Sequence, residues 1–130
     1  MDASRIAPWL TVDDGERAAA FYRQALGATE MYRLEGDDGR AVVVQLRIGD
    51  AELWIQEEEA GPEPSPDIPR PIRLILSVED PDASFARAVG AGATEVAVVH
   101  DEHGWRTGRV TDPFGHDWEF STEIDDAPAD

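Results

Sequence analysis

The sequence contains no cysteine, and all 11 of its basic residues are arginine, so it has no lysine either. The lack of cysteine excludes disulfides, thiolate nucleophiles and zinc–sulfur centres. No apolar run approaches the roughly 20 residues that span a membrane. The opening MDASRIAPWL lacks the charged-then-apolar pattern of a secretory signal. These absences predict a soluble, cytoplasmic protein. Positive charge is scarce as well: 11 bases face 28 acids, for a net charge of −17. Such a surface repels phosphate backbones and anionic lipid, which argues against nucleic acid or membrane as partner. The acidity has two readings, solubility or attraction of a cationic ligand, and the sequence leaves both open.

What is present is a repeat. Residues 10–30 read LTVDDGERAAAFYRQALGATE and residues 76–95 read LSVEDPDASFARAVGAGATE. Each copy is a strand ending in Val-acid-Asp, then a helical stretch, then Gly-Ala-Thr-Glu. Two copies are too few for a solenoid, which needs at least three units. They predict two equivalent halves in one domain spanning residues 1–122, with module one at 5–58, a proline-rich linker at 59–71 and module two at 72–122. The acidic tail 123–130 reads as disordered. At 42% apolar residues, a chain of 130 residues can bury a core without staples.

In the first half, segment 5–12 alternates from Pro8 onward, with Leu10 and Val12 on one side and Trp9 and Thr11 on the other. Asp13 or Asp14 caps a helix in which Ala18, Phe21, Tyr22, Ala25 and Leu26 share a face, and Gly27 stops it. Strands follow at 29–35, 40–48 and 51–57. In the second half a strand covers 72–79. Asp80-Pro81 opens a helix that ends near Gly90–Gly92. Strands at 94–99, 105–111 and 117–122 complete the copy, with 100–104 read as a polar loop. The result is an α+β domain of two βαβββ modules. One face of each sheet buries Leu10, Val12, Leu74, Leu76, Val78, Trp118 and Phe120 under the helices. The other faces are free to line a shared concave cleft.

This arrangement resembles the vicinal oxygen chelate superfamily, which includes glyoxalase I, bleomycin-resistance proteins and extradiol dioxygenases. The residues that carry the resemblance are Val12-Asp13-Asp14, Phe21-Tyr22 with Leu26-Gly27-Ala28, Val78-Glu79-Asp80, and Asp112-Pro113-Phe114-Gly115-His116 before the last strand. It extends over residues 5–122, and its PhnB-like branch looks most similar. The resemblance implies the glyoxalase/bleomycin resistance fold of paired curved sheets, a homodimer and, in many members, a metal held by His, Gln and Glu from four strands. The positions matching those ligands are Ala7, Arg73, Trp54 (or Leu53) and Glu119. Alanine has no donor atom and arginine is permanently cationic. Glu119 alone can ligate, where a divalent ion wants three or four ligands. The expectation is therefore no cofactor and no metal, with a divalent metal as the alternative.

Arg73 in that place predicts a replacement for the lost cation, with its guanidinium paired to Glu119. The competing reading has Arg73 reaching to solvent and Glu119 simply exposed. Trp9, Trp54 and Trp105 fall at predicted cleft positions, and an aromatic wall with a few polar groups suits a small-molecule pocket. For each tryptophan, burial in a core or dimer interface competes with that reading. Arg109 alternates with Val110 and so faces the same way as the cleft residues. His100, His103 and His116, with Asp101, Glu102 or Glu119, are candidates for a relocated metal site. Two functions follow. One is a metal-free protein that sequesters a small molecule, using Trp9, Trp54, Arg73, Trp105, Arg109 and Glu119. The other is a lyase, isomerase or dioxygenase that uses a relocated metal or Glu119 as general base.

Overall fold

The computed structural model describes residues 4–58 and 72–124. The linker 59–71 and residues 125–130 of the acidic tail lie outside the described residues. The chain divides into two compact units, residues 1–64 and 65–130.

In the first unit, β1 (Trp9–Val12) turns Leu10 and Val12 inward and Trp9 and Thr11 outward. The strand expected from residue 5 starts only at Trp9, because Pro8 has no N–H to pair; its carbonyl accepts from the Trp54 N–H at 3.0 Å. Asp14 caps α1 (Gly15–Leu26) by accepting from the Arg17 N–H at 3.0 Å. Gly27, at φ 71°, ends the helix in the left-handed conformation. β2 (Thr29–Glu35), β3 (Ala41–Ile48) and β4 (Ala51–Glu57) then form a meander, and β1 adds parallel to β4 for a sheet order β1-β4-β3-β2. The helix lies on β2, β3 and β4, burying Val44, Leu46, Leu53 and Ile55 beneath Ala18, Phe21, Tyr22 and Ala25.

The second unit repeats this plan with β5 (Arg73–Ser77), α2 (Pro81–Ala91), β6 (Thr94–Glu102), β7 (Trp105–Thr111) and β8 (Asp117–Glu123), in the order β5-β8-β7-β6. Asp80 caps α2, and Pro81 occupies its first turn. Trp118, Phe120 and Val110 are buried on the helix side. Leu74, Leu76 and Val78, expected in the core, are only half-buried. The reason is positional: α2 lies over β6, β7 and β8, and β5 is the edge strand beyond them. Two boundaries also move. β8 continues to Glu123, into the expected tail, and β6 continues to Glu102, so the polar loop contracts to a two-residue turn. His103 (φ 54°) and Gly104 (φ 84°) form that turn with the left-handed geometry of a tight hairpin. Arg106 makes the extension possible, since it holds Asp101 on β6 at 2.7 Å and Asp82 on α2 through two bonds of 2.7 and 2.9 Å.

The DPFGH segment builds the turn between β7 and β8. The Asp112 carboxylate is buried. One oxygen accepts from the N–H groups of Phe114 (2.9 Å) and His116 (3.0 Å), and the other from the Trp118 indole (2.9 Å). His116 thus serves the turn through its backbone.

Candidate functional site

Strand alternation gives each sheet one face under its helix and one face without a helix. On the second unit, β5, β7 and β8 place Arg73, Arg109 and Glu119 on the helix-free face. Glu119 lies directly across from Arg109 in the β7–β8 register and beside Ile75 in the β5–β8 register. The Arg73 Nε is 3.1 Å from the Glu119 Oε1, and the Glu119 side chain is only 16% exposed. The paired arrangement expected from sequence is therefore present, through one guanidinium nitrogen.

Around this pair the face forms a hollow of about 500 Å³. Trp105, Thr107 and Arg109 line it from β7, and Ala97, His100 and Glu102 from β6; His103 stands at the turn. Of the six residues expected to bind the small molecule, four (Arg73, Trp105, Arg109 and Glu119) meet here, with His100, Glu102 and His103 from the other candidate set. The other two, Trp9 and Trp54, belong to the first unit. They are register partners across β1 and β4 and stack with ring centroids 5.9 Å apart and planes 20° apart. Tyr32 meets Trp54 edge-on at 6.2 Å, and Gln56 accepts from the Trp9 indole at 2.9 Å. Gln56 and Thr107 were missed in the sequence, although each lies two positions from a chosen residue on the same strand, where alternation returns it to the same face.

β6 brings His100 and Glu102 to the hollow by breaking that alternation. Its register on β7 slips between Glu95 and Ala97 and again between Ala97 and His100, an extra residue each time. The second bulge turns His100 and Glu102 toward the hollow and Asp101 toward α2. The His100 Nδ1 is 2.9 Å from the Val98 carbonyl oxygen, and its Nε2 is 2.9 Å from the Glu102 Oε1. Both ring nitrogens thus face acceptors, an arrangement that only the doubly protonated ring satisfies. The Val98 carbonyl first, and Glu102 second, raise the His100 pKa above the ordinary histidine value. His100 in turn, with His103 at 3.5 Å, lowers that of Glu102. Stability drawn from the His100 contacts is complete below about pH 6.5 and is lost as pH rises through the raised pKa. Histidine ring NMR is expected to show His100 titrating above that ordinary value and Glu102→Gln moving it down. A midpoint at or below the ordinary value contradicts the geometry.

His116 is not among the lining residues, and among the described residues no group of three or more His, Cys, Asp or Glu is placed to hold a metal ion. The relocated metal cluster considered from sequence is not assembled. At the position where the family ligand would stand, the Arg73 guanidinium offers only donors. Among the described residues, that position therefore does not supply the ligand set of a divalent metal.

Residues 9–121 match the glyoxalase-like domain family. The chain belongs to that family. An uncharacterised protein of Mycobacterium tuberculosis is 36% identical over 126 residues, covering 92% of this chain and 74% of its own length. Among solved structures, TioX from Micromonospora sp. ML1 superposes with a TM-score of 0.75 at 25% identity, covering 94% of this chain and all of TioX (100%). The fosfomycin resistance protein FosX from Mesorhizobium loti shares the fold, with a TM-score of 0.69 at 17% identity and 95% coverage of each chain. The α+β arrangement of two βαβββ modules is that of the glyoxalase/bleomycin resistance fold. No helix among the described residues is long and apolar enough to cross a membrane.

Proposed function

We propose that this glyoxalase-like protein binds a small organic molecule without a divalent metal, at the hollow of the second unit, and that it holds the molecule rather than transforming it. The carrying observation is the Arg73–Glu119 pair, which puts a fixed guanidinium where a metal ligand would need a lone pair. The hollow's volume, about 500 Å³, falls in the range of small-molecule sites. Trp105, 44% exposed at its side, supplies aromatic surface. The stacked Trp9 and Trp54 are a second aromatic surface on the first unit, with Trp9 53% exposed. The same proposal includes a homodimer, as the family resemblance implies, and a cytoplasmic location, as expected from the sequence.

The test is metal analysis of protein purified without chelator or affinity tag, followed by thermal melts with Zn²⁺, Ni²⁺, Mn²⁺ and Fe²⁺. A ligand that binds only the folded state raises the melting midpoint. The expected result is no stoichiometric metal and no upward shift. Tight stoichiometric metal overturns the reading. A second reading, a lyase, isomerase or dioxygenase, draws on the position of Glu119, which is half-buried in the hollow and able to serve as general base on an acidic C–H. Turnover of a ligand that is abolished by Glu119→Gln with binding retained would favour it.

A further inference from the structure

We propose that the hollow takes the carboxylate of a small organic acid on Arg109, with the Thr107 hydroxyl as a second donor and the Trp105 ring beside the acid's apolar body. This deepens the small-molecule reading above by naming the ligand class, and it rests on that reading.

The charged side chains of the hollow pair off unevenly. Arg73 and Glu119 neutralise each other at 3.1 Å. Glu102 is taken by His100 at 2.9 Å. Arg109 remains. It stands opposite both Glu119 and Ala97 in the sheet register, yet among the described residues its guanidinium has no hydrogen bond and no ion pair. Arg5 and Arg47 share that state, but Arg109 is the one of the three that lines the hollow. A guanidinium presents a planar fork of donors that matches a carboxylate in two parallel bonds. Ala97 across from it leaves the fork open. Glu119 and Glu102 line the same hollow, so a second negative charge on the ligand would be repelled and a monoanion is favoured.

The Thr107 oxygen is buried and, among the described residues, has no hydrogen-bond partner, though the residue lines the hollow. Buried hydroxyls are normally satisfied. Thr107 lies two positions before Arg109 on β7, hence on the same face. To serve the ligand the hydroxyl would turn about χ1 into another staggered well. Trp105 lies two positions further back on that face.

The experiment is calorimetric titration of the full chain at neutral pH with 2-naphthoate and with its uncharged counterpart 2-naphthamide. The acid is expected to bind about tenfold more tightly than the amide. Arg109→Gln is expected to erase that preference by lowering the acid's affinity to about the amide's, with an unchanged urea midpoint reporting that the variant is folded. Arg109→Lys recovers part of the preference, since it keeps the charge and loses the fork. Thr107→Val weakens the acid by about threefold. If wild type shows no preference, or if Arg109→Gln keeps it, the carboxylate assignment is overturned and the small-molecule reading stands. If neither compound binds, both are overturned.

Discussion

Replacing Asp112 with alanine is expected to lower the stability of the protein by about 4 kcal/mol, read as a fall in the urea midpoint. One buried carboxylate accepts from three donors, the Phe114 and His116 N–H groups and the Trp118 indole. Alanine leaves all three without that acceptor, and an unsatisfied buried donor costs about 1 to 3 kcal/mol. The loss is large against a typical domain stability of about 5 to 15 kcal/mol. Asp112→Asn separates the components. With its carbonyl oxygen toward the two backbone N–H groups, its amide faces the indole, so only the Trp118 bond is lost and the expected cost is about 1 to 2 kcal/mol. An alanine variant with an unchanged midpoint would show that the turn does not depend on this carboxylate.

The second large effect is at Gly108, in the middle of β7 on the side facing α2. A Cβ placed there would lie 2.7 Å from the Val99 Cγ2, 3.0 Å from the Phe85 Cδ2 and 3.3 Å from the Val99 Cα. Strand propensity alone favours replacing this glycine, by up to about 1 kcal/mol. Overpacking opposes it by about 1 to 3 kcal/mol, and one of the close atoms is the Val99 Cα, part of the backbone rather than the end of a flexible side chain. Steric exclusion should win: Gly108→Ala is expected to destabilise by about 2 kcal/mol and Gly108→Val by more. Phe85→Leu combined with Gly108→Ala should recover part of the loss, because the two sites share one contact and their effects are not additive. Chemical denaturation of the four proteins tests this, and strict additivity would remove the proposed contact.

These two positions show what could be read without coordinates. The DPFGH segment was legible as a turn and a family signature, because proline and glycine restrict the backbone locally. That Asp112 is the buried keystone of the turn was not, since its third donor arrives from Trp118 on the next strand. Arg73, Arg109 and Glu119 were placed on one face because β5, β7 and β8 keep an unbroken period of two through these positions. The same rule fails on β6. His100-Asp101-Glu102 reads as a loop from composition, yet Arg106 holds it in the sheet, and two bulges reset which residues face the hollow. A bulge has no local sequence signature here; it is dictated by pairing with β7. Gly108 in a strand hinted at close approach, but the identity of what approaches belongs to tertiary packing.

The bulge between Ala97 and His100 also bears on how such a protein diversifies. In a regular strand, removing one residue would exchange the core and solvent faces of everything beyond it, and the fold would fail. Here one residue is already in excess of the register. Deleting a single position at 98 or 99 would restore regular pairing while leaving the Trp105 side of the hairpin in place. His100 and Glu102 would still meet the hollow, now from a straighter and less twisted strand, and the gap above Arg109 would change shape. The loose residue acts as slack in the chain, so the rim of the binding surface can be re-cut by a change of length with every other strand left as it is.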